Sequence, residues 1–198
     1  MTTRGGEDVA AKFTAAWEVF SRTCGNARAP EATYQAWFAH YLISQFGIDR
    51  VAREPTFRHW KMFAPSPFLA RFKGQEIKLD VVVTRRPGID MPHWVHRPDS
   101  KHGGSALLAD LAVISELKVA STQGEGLDYT EVCKDVWKLS MLLGEADRHG
   151  IDAPLAYVCI LDNAKRRFRM EHLHRRLCQV PFDARVQILS HHADGDRQ

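Results

Sequence analysis

Three residues in the middle of the chain, Asp80, Glu116 and Lys118, have the types and spacing needed for chemistry on a phosphate. Glu116 and Lys118 are two residues apart, so in an extended strand both project the same way, roughly 7 Å apart. Charged groups are costly to bury unless they are paired or bound to a metal. Asp80 and Glu116, if carried on adjacent strands and facing the same side, would repel each other and raise one pKa unless a cation offset them. Hard oxygen ligands of this kind suit Mg²⁺ or Mn²⁺, with waters and a substrate phosphate completing the shell. Such an ion orients and acidifies a water and stabilises charge on phosphoryl oxygens. Lys118 would attract the scissile phosphate or help deprotonate the attacking water. The chemistry implied is phosphodiester hydrolysis; the competing reading is a surface ion pair at the wet end of a strand.

The elements that must position these residues follow from the hydrophobic pattern. Residues 107–121 are apolar, partly β-branched and free of Gly and Pro, which predicts a central strand. Period-two geometry places Asp110, Ala112, Ile114, Glu116 and Lys118 on one face, and Leu111, Val113, Ser115, Leu117 and Val119 on the other. A strand is expected from Glu76 to Arg85 around Asp80, and an interrupted one from Val51 to Trp60, where Pro55 argues for an edge or bend. Upstream, Val9, Phe13, Trp17 and Phe20 recur at helical spacing. Pro30 and Glu31 suit the first turn of a second helix running to Phe46. That pair of helices fits either core packing or a dimer interface.

Residues 86–105 hold several Pro and Gly and are expected as a long loop, with a turn at 62–68. A helix over Tyr129 to His149 and a uniformly apolar strand over Pro154 to Leu161 follow. A basic helix over Lys165 to Cys178, a short strand over Val186 to Leu189 and a disordered tail, 191–198, complete the chain. The order predicts an α/β fold with a mixed sheet of four or five strands flanked by helices. The strand–helix–strand unit across 107–161 makes its two strands parallel neighbours.

At 198 residues the chain suits a single domain, read as a helical extension over 7–29 and a core over about 30–190. An apolar fraction of 44% and a charged fraction of 26% place it among ordinary globular proteins. Lys and Arg exceed Asp and Glu by 27 to 24, so an anionic partner is permitted but not demanded. Cys24, Cys133, Cys159 and Cys178 are widely spaced with no CxxC pair, as expected of reduced thiols in a cytoplasmic protein. Neither a signal peptide nor a membrane span is expected.

With these residues in view, the chain resembles the PD-(D/E)xK, or restriction-endonuclease-like, nucleases. The resemblance consists of Asp80 within Ile77-Lys78-Leu79-Asp80-Val81-Val82-Val83, and of Glu116-Leu117-Lys118 ending an apolar strand. A following helix carries Asp135-Val136-Trp137-Lys138-Leu139, and the element order from 30 to 161 is similar to the family's core. Leu79 stands where the family motif has Pro, and residues 86–105 lengthen the interval between the two acids. The resemblance implies a restriction-endonuclease-like core and a Mg²⁺- or Mn²⁺-dependent nuclease acting on DNA. Asp80 and Glu116 would bind the metal and Lys118 would assist the nucleophilic water. Glu31 matches a further family acid from the first core helix that often joins them. The family also includes members that have lost cleavage, so a non-catalytic nucleic-acid-binding or assembly protein is the alternative.

Other residues carry competing readings. Glu54 competes with Glu31 as the additional acid, while Asp110 suits pairing with a Lys or Arg. Asp135 and Lys138 are most simply exposed helix residues, with Lys138 a lesser candidate for helping at the site, and Gln123 for touching substrate. For backbone contacts, Arg85 and Arg86 follow the Asp80 strand. Lys165, Arg166, Arg167 and Arg169, continued by Arg175 and Arg176, form the densest basic cluster; its alternative role is the solvated face of a helix. His93, His96 and His102 with Cys133 fit no closed zinc pattern. A homodimer or a separately encoded partner subunit is compatible with the lack of a recognition domain.

Overall fold

The computed structural model describes residues 4–58, 66–72, 76–88 and 104–193. The predicted loop histidines His93, His96 and His102, and most of the tail, lie outside them. Five strands form one mixed sheet in the order β1-β4-β5-β6-β7, and a separate ribbon pairs β2 with β3. The central strand β5, Leu111–Val119, lies antiparallel to β4, Val81–Thr84, and parallel to β6, Leu155–Asp162. β7, Val186–His192, extends the parallel side, and β1, Val51–Arg53, closes the other edge.

Both faces are covered, so β5 and β6 are buried almost throughout. On one face α1, Arg4–Cys24, and α2, Glu31–Phe46, bring Phe13, Trp17, Phe20, Phe38 and Leu42 against Val81, Val113, Leu117, Val119 and Tyr157. The aromatic pair of helices is therefore core within this chain. Phe13 stacks on Tyr157 with ring centroids 4.3 Å apart and meets Phe38 edge-on at 5.7 Å. On the other face α5, Tyr129–Arg148, and α6, Met170–Leu177, pack with Ile114, Val158 and Ile160. Asp128 caps α5 by accepting the Thr130 amide at 2.7 Å.

Several boundaries differ from expectation for physical reasons. The central strand begins at Leu111, because 104–110 form a short helix, α4 (Gly104–Asp110), so Asp110 ends a helix and lies outside the strand. After Val119 the chain turns through a 3-10 segment, Ala120–Gln123. The interruption expected at Pro55 is present: the segment divides at Glu54-Pro55 into β1 and β2, Thr56–Arg58. Glu54 adopts φ 54°, an uncommon left-handed conformation for a residue with a side chain. The expected strand over 76–85 likewise splits into β3, Glu76–Lys78, and β4 at Leu79-Asp80. The two breaks face each other: Glu54 N–H donates to the Asp80 carbonyl at 3.1 Å and Leu79 N–H to the Pro55 carbonyl at 3.2 Å.

Part of the expected turn at 62–68 is helical, since α3 spans Pro67–Phe72. The expected basic helix is shortened to α6, leaving 165–169 outside any helix, so its cations do not share one helical face. All four cysteines are free thiols, with Cys24, Cys133 and Cys159 buried. Among the described residues no helix is long and apolar enough to cross a membrane.

Candidate active site

The register of the sheet brings the two acids together. Val81 pairs with Ser115, so Asp80, one residue before β4, comes beside Glu116 and Leu117 of β5. Asp80 lies in the break between β3 and β4, where its backbone leaves the ladder and its carboxylate substitutes for it. Leu117 N–H donates to Asp80 Oδ2 at 2.8 Å. The other oxygen, Oδ1, accepts from Gln35 Nε2 at 2.8 Å, and Arg53 donates to Gln35 Oε1 at 3.1 Å. Gln35 is one turn after Glu31 on α2, so the two side chains lie on one helix face. Sequence reasoning did not single out Gln35; its spacing of four from Glu31 was the available signal.

Glu116 and Lys118 leave β5 on the face covered by α5. There α5 presents Asp135 and Lys138, three residues apart and therefore on one side of the helix. Lys138 Nζ contacts Glu116 Oε1 at 2.7 Å, Asp135 Oδ1 at 3.3 Å and the Lys78 carbonyl at 3.1 Å. Lys118 Nζ pairs with Asp135 Oδ2 at 3.0 Å. Charges thus alternate in a chain from Lys118 through Asp135 and Lys138 to Glu116. This corrects the reading of Asp135 and Lys138 as exposed: they are only 2% and 8% accessible, and Glu116 is 2% accessible. The period-3.6 pattern of α5 concealed them because they occupy positions on its inward stripe, where apolar residues are the norm.

The electrostatics follow from burial and from an excess of acids. Burial pushes the Asp80 carboxyl above its usual range, against the Leu117 N–H and Lys118 that favour its charge. Burial raises Glu116 well above its ordinary value; Lys138 opposes this, while Asp135 and Asp80 add to it. Glu31 is raised too, first by burial, with Lys118 lowering it and Asp80 and Asp135 raising it. Burial works against the charge on Lys118, but Asp135, then Glu116 and Asp80, outweigh it and hold its pKa above the ordinary lysine value. Lys138 behaves likewise through Glu116 and Asp135.

Other candidate residues are placed elsewhere or committed otherwise. The Glu54 carboxylate, half-exposed, pairs with Lys78 at 2.6 Å. Asp110 pairs with Arg86 at 3.6 Å, and Arg85 binds Asp152 at 2.8 Å. Because β4 runs antiparallel to β5, Arg85 and Arg86 follow the end of β4 paired with Leu111, away from the Glu116–Lys118 end. Gln123 Oε1 accepts from Asp128 N–H at 2.9 Å, within its own loop. Lys165, Arg166, Arg167 and Arg169 are exposed around the segment after β6, and Arg167 donates to the Ala193 carbonyl at 3.2 Å.

Four carboxylates, Glu31, Asp80, Glu116 and Asp135, therefore share a site with two ammonium groups, Lys118 and Lys138. Fully ionised, they leave a formal surplus of two negative charges. Among the described residues no group of three or more His, Cys, Asp or Glu is arranged to hold a metal ion. The donors nevertheless suit Mg²⁺, which binds through one or two carboxylates and fills the remaining positions with water and substrate phosphate. Each Asp80 oxygen accepts one hydrogen bond and retains a second lone pair. Compared with family models, with characterised proteins and with solved structures, the chain matches none.

Proposed function

We propose that the chain has a restriction-endonuclease-like core and is a Mg²⁺- or Mn²⁺-dependent nuclease that hydrolyses phosphodiester bonds in DNA. The observation that carries this reading is the convergence of Asp80, Glu116 and Lys118, with half-buried Glu31 beside them, in one partly buried cluster short of two positive charges. Asp80 and Glu116 would hold the divalent ion, and Glu31 would add negative charge beside it. When bound, the ion would supply acidification of a water and stabilisation of phosphoryl charge. Gln35 and the Leu117 amide keep the Asp80 carboxylate in place.

Lys118 acts here as a cation. Held protonated by its acidic neighbours, it attracts the scissile phosphate and steadies the negative charge that develops there, and it is poorly suited to remove a proton. This narrows the two roles its position allowed. Asp135 is a positioning residue that fixes both ammonium groups from α5.

One observation favours a second reading, a nucleic-acid-binding or assembly protein without cleavage: the Lys138 ammonium already compensates Glu116 at 2.7 Å. The two readings separate in one assay. Purified protein is incubated with linear, circular, single-stranded and branched DNA, with Mg²⁺ or Mn²⁺ and with chelator. Metal-dependent cleavage is expected, reduced at least about a hundredfold by Asp80→Ala. Survival of every DNA with wild type, or undiminished cleavage by Asp80→Ala, overturns the nuclease reading. Salt-sensitive binding without turnover supports the second.

A further inference from the structure

Past the Glu116–Lys118 end of the central strand is a cleft of mixed polar and apolar lining. It is lined by Arg28 and Ala29 ahead of α2, by Ser121, Gly124 and Glu125 after β5, and by Asn163, Ala164 and Lys165 after β6. It thus lies beyond the carboxyl ends of two parallel strands, a common place for ligands in open α/β sheets. Its position relative to the cluster is set by the chain. Arg28 precedes Glu31 by three residues and Ser121 follows Lys118 by three, so each Cα lies within about 11 Å of its catalytic-cluster counterpart.

The walls of the cleft are tied together without any ligand. Asn163 is the bracket: its Oδ1 accepts from Ser121 N–H at 2.9 Å, and its Nδ2 donates to the Gly25 carbonyl at 3.0 Å and to Tyr34 Oη at 3.1 Å. One side chain therefore joins the segments after α1 and after β5 to α2. On the far side Arg166 N–H donates to the Glu125 carbonyl at 2.9 Å. Gly126 allows that approach, since a Cβ there would lie 2.8 Å from the Arg166 carbonyl oxygen. A preformed wall costs little conformational entropy on binding.

The chemistry of the lining points to an anion. Arg28 and Lys165 are exposed, and neither makes a hydrogen bond or ion pair among the described residues, in contrast to Arg85, Arg86 and Arg167. Glu125 is the acidic member among the lining residues, so the cations outnumber it. The volume, about 410 Å³, falls in the lower part of the range for small-ligand sites and admits a single nucleotide, not a base-paired duplex. The lining contains no aromatic side chain on which a base would stack, so the grip is on the backbone and independent of sequence.

We propose that this cleft holds one phosphodiester of an unpaired nucleic-acid strand next to the bond at the Asp80–Glu116 cluster, with Arg28 and Lys165 on its non-bridging oxygens. The proposal rests on the nuclease reading of that cluster and narrows its substrate to single strands or frayed ends. The test measures fluorescence anisotropy of a short labelled single-stranded oligonucleotide with the full chain in Ca²⁺ or chelator, across a salt series. The Arg28→Ala/Lys165→Ala variant should bind at least about tenfold more weakly, with a salt slope shallower by about 1. Arg22→Ala, an exposed cation on α1, should bind as wild type, and a blunt duplex should bind wild type less tightly than the single strand.

Unchanged binding by the double variant overturns the proposal, as does equal affinity for the duplex or no binding by wild type. Both side chains are exposed and unbonded, so loss of fold is not expected; matched thermal unfolding of the variant verifies this. The two readings fail separately. Binding that depends on Arg28 and Lys165, with no cleavage under any metal, sinks the nuclease reading and leaves the cleft standing. Cleavage with an unchanged KM in the double variant does the reverse.

Discussion

Asp135 is the residue on which the arrangement of the site turns, although it is not itself placed to meet substrate. Its two oxygens hold Lys118 at 3.0 Å and Lys138 at 3.3 Å in a nearly dry environment. Removing one partner from a buried charge network leaves the others uncompensated, which costs about 3–5 kcal/mol. Asp135→Asn should therefore lower the unfolding free energy, read from urea denaturation, by that much and weaken any cleavage together with stability. Glu116 makes a different prediction. Its folded pKa is raised, so between the ordinary carboxylate range, about 3.9–4.3, and the raised value the folded chain binds more protons than the unfolded one. The stabilising contribution of the protonated group is full below that window and is lost as pH rises through it. Glu116→Gln cannot ionise, so metal-free denaturation curves should show it gaining on wild type as pH rises across the window; a constant difference would contradict the assignment.

At the level of elements, the aromatic cluster between α1, α2 and the sheet is what holds Glu31 and Gln35 over the site. Phe13 is fully buried against Tyr157 and Phe38. Phe13→Ala should cost about 3–5 kcal/mol in chemical denaturation. Because α2 is seated by that cluster and carries Glu31 and Gln35, any cleavage should fall with it although no residue of the site is replaced. The amphipathic helices and the apolar strands β5 and β6 were legible from periodicity, as was the parallel relation of that pair. Pro55 marked the break at Glu54-Pro55; the one at Leu79-Asp80 was not legible, because alternation continues across it in the sequence and only tertiary hydrogen bonds interrupt it. Asp80, Glu116 and Lys118 stood out by type and spacing, and Glu31 only through the family resemblance. Gln35 did not, since an amide on a helix has many uses, and only its partner 45 residues away identifies this one.

Considered as a whole, the molecule is a sheet sandwiched between two helical layers, with its charged cluster where α2, α5 and the β4–β5 pair meet. Such a centre, acid-rich and short of two positive charges, should take up Mg²⁺ with stabilisation of about 2.7 kcal/mol at a hundred times the dissociation constant, read as a rise in Tm. The Lys138 ammonium gives that expectation a further turn. Many small metal proteins cannot acquire their shape until the ion arrives, so chelators unravel them. Here a tethered amine from α5 already sits among the acids as a resident counter-ion. On the nuclease reading, shape and catalytic readiness would thereby be uncoupled: the polypeptide would mature in a mineral-poor setting and lie dormant, with ion supply governing when it works, not whether it exists. Exhaustive dialysis against chelator should leave circular dichroism unchanged while silencing turnover, and restoring Mg²⁺ should revive turnover without any refolding delay.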